Sequence, residues 1–107
     1  VEIFIDPTNK RKSYYQLMLN AAGFWSLTGY DAPEAAPDIR TKASRSDEAY
    51  GLEIAIPLAG LPGAAESKVW GFNIARNKVT SPSEQSQWVA TGGNYHRPHL
   101  FGVIRFS

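Results

Sequence analysis

Apolar side chains recur at every second residue along this chain, and no segment holds a helical stripe through three turns. A strand sends successive side chains to opposite faces, so a chain patterned this way buries itself by stacking sheets. Val1, Ile3 and Ile5 share one face of a first strand, with Glu2, Phe4 and Asp6 opposite and a turn at Asp6-Pro7-Thr8-Asn9. A second strand, Tyr14 to Asn20, sets Tyr15, Leu17 and Leu19 against Tyr14, Gln16, Met18 and Asn20. Gly23 to Pro37 reads as a long connection carrying Trp25 and Tyr30. Ile39 to Ser44 reads as a polar edge strand, with the next hairpin at Asp47-Glu48. Leu52, Ile54 and Ile56 alternate until Pro57 stops the ladder, and Leu58 to Leu61 is predicted to make one helical turn. Trp70, Phe72 and Ile74 repeat the pattern opposite Gly71, Asn73 and Ala75. Ser81 to Glu84 is a predicted turn, Gln87 to Ala90 a short strand, and Phe101 to Phe106 the closing strand. The expected class is all-β: one domain over residues 1–107, a sandwich of two antiparallel sheets.

Composition narrows the function classes. With 107 residues there is room for one core and not two. The net charge of +1 and the single tight basic cluster, Lys10-Arg11-Lys12 at a hairpin tip, argue against a nucleic-acid face, which spreads basic residues along a surface. The cluster reads instead as a solvated turn. The absence of cysteine excludes disulfides and thiolate metal sites. No apolar run approaches the roughly 18 residues of a membrane span, and no signal peptide is present. The chain opens inside a strand, Val1 to Ile5, and is read as a piece whose N-terminal neighbouring strands have been left out.

Chemistry concentrates near the C-terminus. Gln87 to Gly102 gathers Trp88, Tyr95, His96, His99 and the pair Gly92-Gly93 just before the last strand. Glycines let a backbone turn through positive φ and approach a partner, while Trp, Tyr and His present flat faces with polar tips. This loop reads as ligand-facing, with Tyr95 and His96 as its leading residues. Trp70 shares the face of Phe72 and Ile74 and reads as core. Trp25 is open to either an exposed platform or a core plug, and Trp88 to either packing or a wall of the site.

In order, Val1-Glu2-Ile3-Phe4-Ile5-Asp6, Tyr15-Gln16-Leu17-Met18-Leu19-Asn20, Leu52-Glu53-Ile54-Ala55-Ile56-Pro57, Trp70-Gly71-Phe72-Asn73-Ile74, then Asn94-Tyr95-His96-Arg97-Pro98 with Phe101-Gly102, the chain resembles the family 9 carbohydrate-binding modules and their relatives over its whole length. The resemblance implies an immunoglobulin-like β-sandwich without catalytic activity of its own, carried on secreted, periplasmic or cell-surface proteins that degrade polysaccharides, such as glycoside hydrolases. It implies a glycan partner, with neighbouring domains in a larger chain. The family holds a sugar between two aromatic rings, with a carboxylate and a basic side chain on its hydroxyls. Carried over by motif, the carboxylate is Glu2, on the solvent side of the first strand, and one aromatic is Tyr95 where the family has tryptophan. The other aromatic falls upstream of Val1. The basic position falls on Met18, a departure that removes a charge-assisted hydrogen bond. Asn94 and His96 would orient the ligand.

Rival readings rest on other residues. Met18 and His96, opposed at one end of a sandwich, would make a thioether–imidazole pair for non-covalent haem, as in related extracellular cytochrome domains. A structural calcium ion is implied by resemblance, with Asp6, Asp31 and Asp38 as candidate donors but no EF-hand-like spacing, so no metal ligand set is assigned. An enzyme reading has no selected pair among the scattered acids and no nucleophile elbow beside its Ser, His and Asp residues. The departures at Met18 and Tyr95 leave a structural or interaction domain without ligand as the remaining alternative.

Overall fold

The computed structural model describes residues 1–78 and 84–106, with Lys78 described by its backbone alone, so the predicted turn over 81–83 lies outside the described residues. Eight strands form: β1 (Glu2–Asp6), β2 (Tyr14–Leu19), β3 (Trp25–Tyr30), β4 (Arg40–Arg45), β5 (Tyr50–Ala55), β6 (Val69–Lys78), β7 (Glu84–Gln87) and β8 (Gly102–Arg105). The helical elements among the described residues are two single 3-10 turns, Leu58–Gly60 and Pro98–Leu100. All pairings are antiparallel. A six-stranded sheet runs β3-β2-β1-β6, and the long β6 then serves two partners: Ala75 to Lys78 pair with β7, and Val69 to Phe72 pair with β8. Strands β4 and β5 form a second sheet.

The alternating face read from the sequence is the one between the sheets. Ile3, Ile5, Tyr15, Leu17, Leu19 and Trp70 are buried there with Ile39 and Leu61, and Leu52, Ile54 and Ile56 of the second sheet pack against them. Burying a Leu or Ile side chain fully is worth about 1.5–3 kcal/mol, so this layer supplies the main driving force. Trp70 is buried as expected, whereas Ile74 on the same row is 39% exposed where the small sheet stops short of it. An open, largely aliphatic groove of about 510 Å³ lies there, bounded by Ile3, Leu52, Ile54 and Ile74.

Two strand expectations require correction. Gly23 to Pro37 is not one long connection, because Trp25–Tyr30 is β3, paired with β2 from Leu19↔Trp25 to Tyr14↔Tyr30. Asn20 makes the hairpin: its Oδ1 accepts from the Ala22 and Phe24 amides, and Gly23 adopts φ +90, a region that L side chains avoid. Trp25, at this edge, is 39% exposed. The strand expected at Gln87 to Ala90 lies earlier, at Glu84–Gln87, because Ala75 to Lys78 of β6 run past Phe72 and pair there.

The large sheet is covered on both faces, which is why every residue of β1 is buried. On the face away from β4 and β5, the segment from Val89 to Phe101 folds back over the sheet. A second cluster forms there, in which Phe4, Tyr14, Ala75 and Phe101 are buried and Tyr30 and Tyr95 pack at the margin.

Candidate functional site

The outer face is built from the rows that the sequence left as partly polar. Glu2 and Phe4 of β1, Tyr14, Gln16 and Met18 of β2, Tyr30 of β3, and Asn73, Ala75 and Asn77 of β6 share it, as the register Glu2↔Met18, Phe4↔Gln16, Tyr14↔Tyr30, Glu2↔Ala75 and Phe4↔Asn73 requires. The C-terminal segment is fastened to this face at three places. Asn73, fully buried, donates from Nδ2 to the Val89 carbonyl at 3.0 Å and to Gln87 Oε1 at 3.3 Å, while its Oδ1 accepts from the Val89 amide at 2.9 Å and the Ile74 amide at 3.0 Å. Buried Thr91 donates to Gln87 Oε1 at 2.8 Å. Arg11 reaches across from the β1–β2 hairpin and donates to the His99 and Phe101 carbonyls at 3.1 and 2.7 Å.

That last contact corrects the solvated-turn reading of Lys10-Arg11-Lys12. Lys10 and Lys12 are exposed, but Arg11 is half-buried and held in place, with φ +62 and its amide donating to Asp6 Oδ2 at 2.8 Å. Gly92 turns the segment at φ +77, as the glycine pair suggested, and a Cβ there would lie 2.8 Å from Arg97 Nη1. The segment then sets Tyr95 and His96 over Phe4, with ring centroids at 6.2 and 5.3 Å in edge-on contacts.

Around this platform runs a chain of hydrogen bonds. The Tyr30 hydroxyl donates to Gln16 Oε1 at 3.0 Å, and Gln16 Nε2 donates to Glu2 Oε1 at 2.6 Å. From the other side the Tyr95 hydroxyl donates to Asn77 Oδ1 at 3.0 Å, and Asn77 Nδ2 donates to Glu2 Oε2 at 2.8 Å. His96 stands next to this chain: its Nδ1 is 2.7 Å from the Tyr14 hydroxyl, and its ring lies 4.9 Å from that of Tyr30. Tyr14 and Tyr30 stack at 5.0 Å and 13°.

The structure thus brings Glu2, Tyr95 and His96 onto one face. Met18 lies directly across from Glu2 and is 47% exposed; Asn94 is exposed and accepts the His96 amide at 2.9 Å, shaping the turn. Glu2 differs from the solvent-side strand acid that the alternation implied. It is 8% exposed, because Gln16 and Asn77 close over both its oxygens. Gln16, Tyr30 and Asn77 were not singled out from sequence. Tyr30 was hidden by the unread strand β3, and Gln16 showed only as one polar residue on an alternating row. Trp88 lies on the other side of the sheet, 56% exposed, with its ring 6.1 Å from Phe72, so it is not a wall of this site.

Of the rival ligand sets, His96 Nδ1 is met by the Tyr14 hydroxyl at 2.7 Å, and Met18 lies four residues along β2 from Tyr14, about 13 Å of strand. Asp6 is fully buried and satisfied by the Thr8 amide and hydroxyl and the Arg11 amide, Asp38 pairs with Arg40 at 3.1 Å, and Asp31 is exposed on a positive-φ turn. These three acids do not form one calcium cradle, and no group of three or more His, Asp or Glu side chains suited to a metal occurs among the described residues. The inter-sheet groove, lined by aliphatic side chains together with Glu48, Tyr50 and Arg76, opens on the other face of the sheet from Glu2 and Tyr95.

Burial, reinforced by the negative charge of Glu2, raises the Tyr95 phenol above its ordinary value of 10.0; burial, with Tyr30 and Asp31, does the same for Tyr14. A phenol whose pKa is raised by folding contributes stability that is complete below the unfolded value and is lost as pH rises through the folded one. The outer face should therefore keep its structure up to about pH 10 and loosen above it. Tyrosinate absorbance followed together with near-UV circular dichroism checks this; an aromatic signal lost well below pH 10 would contradict it.

No helix among the described residues is long and apolar enough to cross a membrane. No curated protein and no solved structure matches the chain. The family model described as carbohydrate family 9 binding domain-like matches residues 1–107. Since that match runs from the Glu2 strand through the Tyr95 segment without interruption, the chain belongs to the carbohydrate family 9 binding domain-like family.

Proposed function

We propose that this domain is a non-catalytic carbohydrate-binding module whose ligand docks on the outer face of the six-stranded sheet. One observation carries the reading: in a chain of this family, the carboxylate of Glu2 and the ring of Tyr95 are joined through Asn77 on a single face. A pyranose has an apolar C–H side that packs on an aromatic ring, and hydroxyls that need amide, phenol or carboxylate partners. Tyr95 supplies the ring. Asn94 and His96 fix its presentation, Met18 forms an exposed rim beside Glu2, and Glu2 is the carboxylate at the centre of the polar chain. The sandwich is of the immunoglobulin-like kind that such modules share. Its setting is outside the cytoplasm, as an accessory to an enzyme that cleaves polysaccharide.

One half-buried tyrosine gives a small stacking surface, and binding must offset several kcal/mol of lost freedom, so affinity is weak, with Kd on the order of 1 mM. In an NMR titration with xylo- or cello-oligosaccharides, Tyr95→Ala should erase the ligand-induced shifts of residues around Glu2 and Asn94. Shifts that persist unchanged in that variant would move the site elsewhere.

A further inference from the structure

We propose that Glu2 is a positioning residue, which acts through Gln16 and Asn77 to fix the hydrogen-bond polarity of the face and so restricts it to neutral, hydroxyl-donating saccharides. The inference rests on the carbohydrate reading above and adds the chemical class that the site selects. Both oxygens of Glu2 are already engaged, by Gln16 Nε2 at 2.6 Å and Asn77 Nδ2 at 2.8 Å, beneath a surface that leaves the residue 8% exposed. A carboxylate only accepts, so each neighbouring amide must turn its NH2 group inward. The amide carbonyls then point the other way and accept in turn. They take the protons of the Tyr30 and Tyr95 hydroxyls, each at 3.0 Å.

A phenol has one proton. Once it is committed to Gln16 or Asn77, the hydroxyl oxygen can only accept from whatever docks on it. The chain Tyr30–Gln16–Glu2–Asn77–Tyr95 crosses β3, β2, β1 and β6 and ends on the C-terminal segment, so two phenol acceptors flank one buried negative charge. Among the described residues no Lys or Arg side chain hydrogen-bonds to any of these five. A sugar hydroxyl donates to such acceptors. A uronic-acid carboxylate or a sulfate has no proton to give and meets like charge.

The polarity is set at one residue and can be reversed there. In Glu2→Gln the carboxamide puts an NH2 where an acceptor stood, so either Gln16 or Asn77 must flip to face it with its carbonyl. The phenol at the end of that arm then accepts from the flipped amide and turns its proton outward. The negative charge is also gone.

Binding of a neutral xylo-oligosaccharide and of an oligogalacturonate of the same length, measured by NMR titration at low salt on the wild type, Glu2→Gln and Tyr30→Phe, tests the proposal. The wild type should prefer the neutral ligand by about tenfold or more. Glu2→Gln should keep its backbone amide pattern, shift the side-chain NH2 signals of Gln16 or Asn77, and bring the preference to within about threefold. Tyr30→Phe, at the outer end of the chain, should weaken the neutral ligand by about fivefold, the measure of one hydrogen bond. Equal binding of both ligands by the wild type, or an unaltered preference in a folded Glu2→Gln, would overturn the polarity argument while leaving sugar binding intact. Should Glu2→Gln fail to fold, undiminished neutral binding by Tyr30→Phe would overturn it. No binding of either ligand by the wild type would remove the carbohydrate reading and this inference together.

Discussion

Phe4→Ala is expected to destabilise the domain by about 3–5 kcal/mol, lowering Tm by on the order of 15 °C. Phe4 is fully buried, and its ring touches those of Tyr14, Tyr95, His96 and Phe101 at centroid separations of 6.2, 6.2, 5.3 and 5.6 Å. Truncation leaves a cavity on the outer face, where the C-terminal segment lies over the sheet, and not between the sheets. The stability loss should therefore come with a local signature: the Tyr95 and His96 side-chain resonances broaden or move, while those of Leu17 and Ile5 in the inter-sheet core stay in place. Thermal unfolding combined with aromatic and methyl NMR spectra checks both parts. A uniform change across both cores would mean that the two layers are not independent, contrary to their separate packing.

Asn73→Ala should cost about 2–4 kcal/mol, for a different reason. No large cavity is made, but four hydrogen bonds go, and the Val89 amide and carbonyl lose their partner next to a position that is fully buried. A buried group left unpaired carries its full desolvation cost, which is more than the net worth of the bond itself. Hydrogen exchange at the Val89 amide should accelerate by more than global unfolding accounts for, and sugar binding at Tyr95 should weaken with it, because Asn73 fastens the start of the segment that ends at Tyr95. Asn73→Asp keeps an oxygen that can accept the Val89 amide but sets a charged oxygen against the Val89 carbonyl and Gln87 Oε1 in a fully buried position, and it should cost at least as much as Ala. Exchange at Val89 that is unchanged in Asn73→Ala would show that the other fastenings, at Arg11, Thr91, Tyr95 and His96, hold the segment without it.

The apolar rows of β1, β2, β5 and β6 could be read directly because each alternates cleanly, and burial follows alternation wherever a sheet has one covered face. The strand β3 escaped because Trp25-Ser26-Leu27-Thr28-Gly29-Tyr30 lies among glycines and prolines that read as loop. Its strand character is supplied by pairing with β2 and by the Asn20 turn, and both are visible only once the hairpin is formed. The position of β7 escaped because it depends on how far β6 extends past its pairing with β8.

At the candidate site, Tyr95, His96 and Glu2 stood out from sequence, the first two by residue type in a glycine-bearing loop and the third by the family motif. Gln16, Tyr30 and Asn77 did not, since an amide or a phenol in isolation carries no signal. Sequence alone determined the period of the chain, and with it the class, the core row between the sheets and the location of the aromatic loop, because these follow from side-chain direction, which is local. Only the tertiary structure decided that the opposite row is also buried, that Arg11 and Asn73 fasten the loop over it, and that Glu2 faces two amides and not water. Those outcomes depend on which distant segments meet across the sheet, and hydrogen-bond partners 75 or more residues apart in the chain, such as Glu2 with Asn77, are brought together by topology and not by spacing.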